Sequence, residues 1–126
     1  MLKKFMKYDD QNIFAKILRG EIPCNKIYED DFVLSFYDIN PQKKIHALVI
    51  PKGKYIDLDD FNTNASNEEI IGLMKGITTV AKKLDISSID GQGYRALANI
   101  SDYGGQEVPH LHFHLFGGEK VGKMVS

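Results

Sequence analysis

The sequence predicts a small mixed fold in which one long helix covers a face of a sheet, and three stretches carry that expectation. From Ser66 to Leu84, the residues Ile70, Leu73, Met74, Ile77, Val80, Ala81 and Leu84 form an apolar stripe at helical spacing behind a Ser66/Glu69 capping-box pattern. His46 to Pro51 is a compact apolar run stopped by proline, as in a buried strand. His110 to Phe116 alternates strictly, with His110, His112 and His114 interleaved with Leu111, Phe113 and Leu115. In a strand, a period of two sets the three imidazoles on one face and the apolar three on the other. At 126 residues the chain is one domain by length and large enough for a core.

The elements follow in order. Residues 1–9 read as a flexible N-terminal arm. Asp10 or Asn12 can cap a short helix carrying Ile13, Phe14, Ile17 and Leu18 at helical spacing, and Gly20 stops it. Glu21 to Cys24 is extended around Pro23. Asn25 to Glu29 and Phe32 to Ile39 pair as a hairpin turning at Asp30-Asp31, with Phe32, Leu34 and Phe36 on one face. Lys52 to Asn67 is polar, with a helical turn at Tyr55 to Phe61. After the long helix, Asp85 to Gly93 is a loop and Tyr94 to Asn99 a strand; residues 119–126 form a C-terminal tail. An edge strand and a helix stripe in so small a domain leave groups in need of cover, Ile77 and Val80 among them.

Composition removes several classes of function. Sixteen basic residues against 17 acidic ones give a net charge of −1, so there is no broad basic footprint for nucleic acid or acidic membranes. The one cysteine, Cys24, has no internal partner for a disulfide, which fits a reducing compartment. No stretch is apolar enough for a signal sequence or a membrane span, so a soluble cytoplasmic protein is expected.

The candidate chemistry gathers around the histidine row, which admits three readings. It can catalyse, with one neutral ring attacking and its neighbours donating to an anionic centre. It can bind a metal, although His110 and His114 lie about 13 Å apart at roughly 3.3 Å per residue, so one ion cannot use all three without help from His46 or a carboxylate. It can also be a polar cluster without chemistry. Gly104-Gly105-Gln106 precedes the row and can converge backbone N–H groups on an oxyanion, or simply turn the chain. Asp38, after the second strand, is either a turn aspartate or an acceptor for two vicinal hydroxyls. Asn99 is a turn former or a contact to sugar or phosphate.

The ordered set Ile13-Phe14 with Ile17, Gly20-Glu21-Ile22-Pro23, Tyr28-Glu29-Asp30-Asp31, Asp38-Ile39 with Pro41-Gln42, His46 with Val49-Ile50-Pro51-Lys52, Asn99, Gly104-Gly105-Gln106 and the row ending in Phe116-Gly117-Gly118 resembles the histidine triad superfamily. Within it, the chain is most similar to the histidine triad nucleotide-binding proteins. The resemblance covers Asn12 to Gly118 and implies a single α+β domain: an antiparallel sheet of about five strands with one long and one short helix, the sheet continuous across a homodimer. It implies binding of purine nucleotides and hydrolysis of phosphoramidate or acyl-phosphate links to AMP or GMP through a nucleotidyl intermediate on His112. By the same resemblance His114 and His110 bond phosphate oxygens and orient the row, and His46 stands on the leaving-group side. Asp38 then binds ribose, Ile13, Phe14, Ile17, Phe36 and Ile39 wall the base pocket, and Asn99 lies beside the phosphate. Backbone donors from Gly105, Gln106, Glu107 and Val108 would stabilise the transition state. No metal or other cofactor enters this scheme. A dinucleoside polyphosphate hydrolase and a nucleotide-binding scaffold without turnover are the alternatives.

The chain departs from many relatives in carrying Glu107 where they have a serine, and Ala15 where others have a zinc-binding cysteine. Its short tail also lacks tryptophan.

Overall fold

A computed structural model describes residues 7–125. The elements run α1 (Ile13–Leu18), β1 (Lys26–Glu29), β2 (Val33–Tyr37), β3 (Ile45–Pro51), α2 (Leu58–Asn64), α3 (Asn67–Lys83), β4 (Arg95–Leu97) and β5 (Phe113–Gly117). The five strands form one antiparallel sheet in the order β1-β2-β3-β5-β4. The expected α+β class is therefore what the chain adopts. No helix among the described residues is long and apolar enough to cross a membrane.

Local chemistry explains the element ends. Asn12 caps α1 by accepting from the Ala15 N–H at 2.9 Å. At the hairpin, Asp30 Oδ1 accepts from the N–H groups of Phe32 and Val33, so its carboxylate closes the turn. Ser66 and Glu69 form both halves of the capping box on α3. Gly76 lets α3 lie close to the sheet, because a Cβ there would stand 3.1 Å from Val33 Cγ2.

Pleating divides the sheet into two faces. Val33, Ala47, Val49, Leu111 and Leu115 point toward α3 and pack with Leu73, Ile77, Val80 and Phe61 in a buried apolar core. Leu34, Phe36, Leu48 and Ile50 point the other way and pack with Phe14 of α1. The register sets His114 opposite Leu48 and Phe116 opposite His46, so these histidines share the face that carries α1.

Several expectations require correction. Only Phe113–Gly117 joins the ladder, so His110 and His112 precede the strand, although the alternation of faces persists through them. The helical turn expected at Tyr55 begins three residues later, capped by Asp57. Leu111 N–H donates to the Tyr55 carbonyl at 2.9 Å, which holds Tyr55 in the connection ahead of that helix. Met74 is 48% exposed, while Ile77 and Val80 lie in the chain's own core and cannot serve an intersubunit surface. The arm is fixed at its inner end: Asp9 accepts from Gln11 and Asn12, and Tyr8 bonds His110. Residues 1–6 of that arm lie outside the described residues.

Candidate active site

The site lies where the ends of β3 and β5 meet α1 and the 99–108 loop. A cavity of about 390 Å³ opens there, lined by Phe14, Asp38, His46, Asn99, Glu107, His112 and their neighbours. A larger groove of about 930 Å³ runs between the 85–94 loop and the 118–122 tail, but no histidine lines it. Chemistry therefore selects the smaller cavity.

Hydrogen-bond partners assign the tautomer of each ring. His112 Nδ1 lies 2.8 Å from the His110 carbonyl, which can only accept, so Nδ1 carries the proton and Nε2 keeps its lone pair. His110 Nε2 lies 2.9 Å from the Pro51 carbonyl and must donate to it, which leaves Nδ1 to accept the Tyr8 hydroxyl at 2.7 Å. The Gln42 N–H donates to His46 Nδ1 at 3.1 Å, so His46 is protonated on Nε2. That N–H donates to His114 Nδ1 at 2.9 Å, leaving the His114 proton on Nε2. Phe14 meets the His112 ring edge-on, with centroids 5.0 Å apart, and fixes its plane.

Burial keeps all four rings neutral. Desolvation pushes His110 down to about 4, against the opposing bond to Pro51. It pushes His114 down to about 4 as well, helped by His112 and His46 beside it. Desolvation also lowers His112, although its bond to His110 and the charges of Asp38 and Glu107 oppose the shift. His46 is lowered by burial against the pull of Asp38. The row is thus a set of uncharged rings at neutral pH, and its proton positions are fixed by partners.

Asp38 is a turn aspartate that also lines the cavity. Its Oδ1 accepts from the Asn40 N–H at 2.8 Å, as a turn aspartate does, while Oδ2 stands 3.4 Å from His46 Nε2. Each oxygen retains a second lone pair for a ligand.

Asp38, His46 and His114 also bring three potential ligand atoms within 4.8 Å of one another. Their surroundings do not suit a metal. A ligating imidazole ordinarily donates through its other nitrogen, whereas His46 Nδ1 accepts from Gln42, so a metal on Nε2 would displace the proton this tautomer needs. The donor set is arranged as a hydrogen-bond relay.

Of the residues singled out by sequence, Phe14, Asp38, His46, Asn99, Gly105, Glu107, Val108, His112 and His114 line the cavity. His110 does not: it is fully buried and both ring nitrogens are engaged, so its side chain cannot bond a phosphate oxygen. Gln106 is likewise internal. It accepts from the Ser101 N–H and donates to the Ile56 and Val108 carbonyls, pinning the glycine loop in place. Gly105, at φ +76°, turns that loop, and the N–H groups of Gly105 and Gln106 are spent on the Asp102 and Ser101 carbonyls. Phe36 packs behind Phe14, and Ile13, Ile17 and Ile39 lie outside the cavity lining, with Ile39 87% exposed. Asn40, Gln42 and Leu48 also line the cavity, and sequence reasoning gives none of them a role there. The signal for Gln42 was present, since a turn ending four residues before His46 brings its N–H back to that ring.

Comparison with known proteins places this geometry in context. The family described as HIT domain matches residues 19–121. An uncharacterized 13.2 kDa HIT-like protein from Azospirillum brasilense is 49% identical over 119 residues, covering 94% of this chain and 95% of that protein. The purine nucleoside phosphoramidase of Escherichia coli K12 is 41% identical over 117 residues, covering 93% of this chain and 95% of its own. A HIT family hydrolase from Clostridium thermocellum superposes with a TM-score of 0.82 at 34% identity, covering 94% of this chain and 99% of that one.

Proposed function

The chain belongs to the HIT family, and from that premise we propose that it hydrolyses purine nucleoside phosphoramidates and acyl phosphates, releasing AMP or GMP through a nucleotidyl-His112 intermediate. The observation that carries this reading is the tautomer of His112. Its Nδ1–H is held by the His110 carbonyl, which leaves an uncharged Nε2 lone pair as nucleophile.

Each step follows from that ring. His112 Nε2 forms a bond to the α-phosphorus as the P–N bond to the amine breaks, and the amine departs with a proton taken from a water molecule, which becomes hydroxide. That hydroxide then adds to the phosphorus as the N–P bond to His112 breaks, so the nucleoside monophosphate leaves and the neutral ring is restored. His114 Nε2–H, directed by the bond from His46 to the other nitrogen, donates to a phosphate oxygen in both steps. Glu107 and Val108 line the cavity, and their N–H groups are the loop donors assigned to the charge that develops on phosphorus. Phe14 offers an apolar wall to the nucleoside and Asp38 accepts from the ribose hydroxyls. Asp38 Oδ2, 3.4 Å from His46 Nε2, also helps orient the ring that directs His114.

We further propose that the protein works as a homodimer. β4 is a three-residue strand at the sheet edge, and Ile71 and Met74 are 53% and 48% exposed on α3. Sedimentation equilibrium at low micromolar concentration should give twice the 14.2 kDa chain mass, and a fully active monomer would reject the assembly.

The function is tested by His112→Ala assayed on an AMP phosphoramidate. Turnover should fall by about a thousandfold or more while AMP binding stays within a few-fold, because the lost group acts on phosphorus and not on the base. Retained turnover would refute the assignment.

A further inference from the structure

The residue that holds the nucleophile is itself held by the segment ahead of α1. His110 supplies the carbonyl that fixes the His112 tautomer, and its own ring is clamped at both nitrogens, by the Pro51 carbonyl at 2.9 Å and the Tyr8 hydroxyl at 2.7 Å. The Pro51 bond belongs to the sheet. The Tyr8 bond comes from a residue 102 positions away in sequence, ahead of the residues 19–121 that match the family.

We infer that Tyr8 is a positioning residue for the reaction: its hydroxyl donates to His110 Nδ1 and thereby fixes the ring, and with it the carbonyl, that orients His112.

Three observations support this. First, the donor direction is forced. His110 Nε2–H must face a carbonyl, so Nδ1 of the neutral ring can only accept, and Tyr8 can only donate. His110 is fully buried, and without the hydroxyl its Nδ1 would be an unpaired acceptor. Second, Tyr8 is delivered by an anchored segment. Asn12 donates from Nδ2 to the Asp9 carbonyl at 2.7 Å with the same side chain that caps α1, and Arg19 Nη1 donates to the Asp10 carbonyl at 2.8 Å. Lys54 Nζ pairs with Asp10 Oδ1 at 2.8 Å across to the loop after β3. Third, the aromatic packing is continuous. The Tyr8 ring meets His110 edge-on with centroids 5.7 Å apart, and Phe14 contacts both His110 and His112 in the same manner. A tyrosine hydroxyl is a donor at neutral pH, and partial burial shifts Tyr8 further in that direction.

The inference rests on His112 as nucleophile, and the experiment separates the two. In Tyr8→Phe the ring is kept and only the donor is removed. The single-turnover rate of His112 nucleotidylation should fall by about tenfold, with AMP affinity within about twofold of the wild type. In ¹⁵N spectra of the wild type, His110 Nδ1 should carry the shift of a hydrogen-bonded acceptor, and Tyr8→Phe should move it toward that of a bare lone pair. In a His110→Ala background, adding Tyr8→Phe should change nothing further. An unchanged rate in Tyr8→Phe overturns the inference, and so does a fall in rate matched by an equal fall in AMP affinity, which would mark a general structural role. A wild-type His110 Nδ1 without a bonded shift overturns it however the variant folds. A wild type that forms no nucleotide adduct refutes the proposed function, and this role falls with it. A normal adduct formed equally fast by Tyr8→Phe refutes this role alone.

Discussion

The two faces of the sheet are built from the same strands yet solve burial in opposite ways. Toward α3, Val33, Ala47, Val49, Leu111, Leu115, Leu73 and Val80 are packed without an ionisable group among them, and their contribution is transfer of apolar area and dispersion. Toward α1, the same alternation buries His46, His110 and His112, and each polar ring atom that packing covers is given a partner. A buried imidazole without a partner would cost more than its packing returns. On the first face, shape complementarity is the requirement. On the second, it is the direction of each proton, and that direction is what leaves Nε2 of His112 free to react.

The contrast can be broken at the dry face first. Leu73→Ala should cost about 2–5 kcal/mol of stability by leaving a cavity under α3, while the nucleotidylation rate of the folded fraction stays within about twofold of the wild type. Urea unfolding with a parallel active-site titration checks both. A variant of normal stability but poor rate would show that the faces are not separable.

Acid should act on the other face. His110 is held down to about 4 in the fold against 6.5 for the free group, so its contribution is fully present above pH 6.5 and is lost as pH falls from 6.5 toward 4. The unfolded chain binds a proton in that window that the folded chain refuses. The loss is on the order of 3 kcal/mol for this ring. The Leu73→Ala penalty, which involves no titrating group, should keep its size across the same window. Urea midpoints measured from pH 7 to pH 4 in both proteins decide this, and a flat wild-type profile would contradict the neutral, partnered rings.

A smaller effect sharpens the account within the histidine face. Asp38→Asn should reduce the preference for AMP over its 2′-deoxy form by about fivefold, since an amide offers one acceptor oxygen in place of an ionised pair. Titration of both nucleotides against both proteins reads it directly. Equal wild-type affinity for the two would leave Asp38 as the turn residue that its bond to Asn40 already makes it.

The difference between the faces also explains what was legible in the sequence. Apolar periodicity and capping are local, so α3 with its Ser66/Glu69 box, the Asp30 turn and the alternation of Leu111 and Leu115 could be read without knowing the fold. The division of labour inside the histidine row could not. Nothing in the spacing of His110, His112 and His114 says that the first has both nitrogens occupied, because its partners lie at Pro51 and Tyr8. The apolar stripe of α3 likewise does not tell Ile77, which is in the core, from Met74, which is exposed, since the sheet covers only part of the stripe. The glycine loop was legible as a turn, but Gln106, which fixes it from inside, reveals its role only through the carbonyls of Ile56 and Val108.

On the proposed reading, the partnered face holds His112 as a neutral nucleophile. Acid-free quenching of the wild type during turnover of an AMP phosphoramidate, followed by intact mass measurement and peptide mapping, tests it most directly. A transient covalent AMP is expected on the peptide containing His112, absent in His112→Ala and accumulating more slowly in Tyr8→Phe. Full turnover with no adduct at any time, or an adduct mapped to His114 or His46, would contradict it.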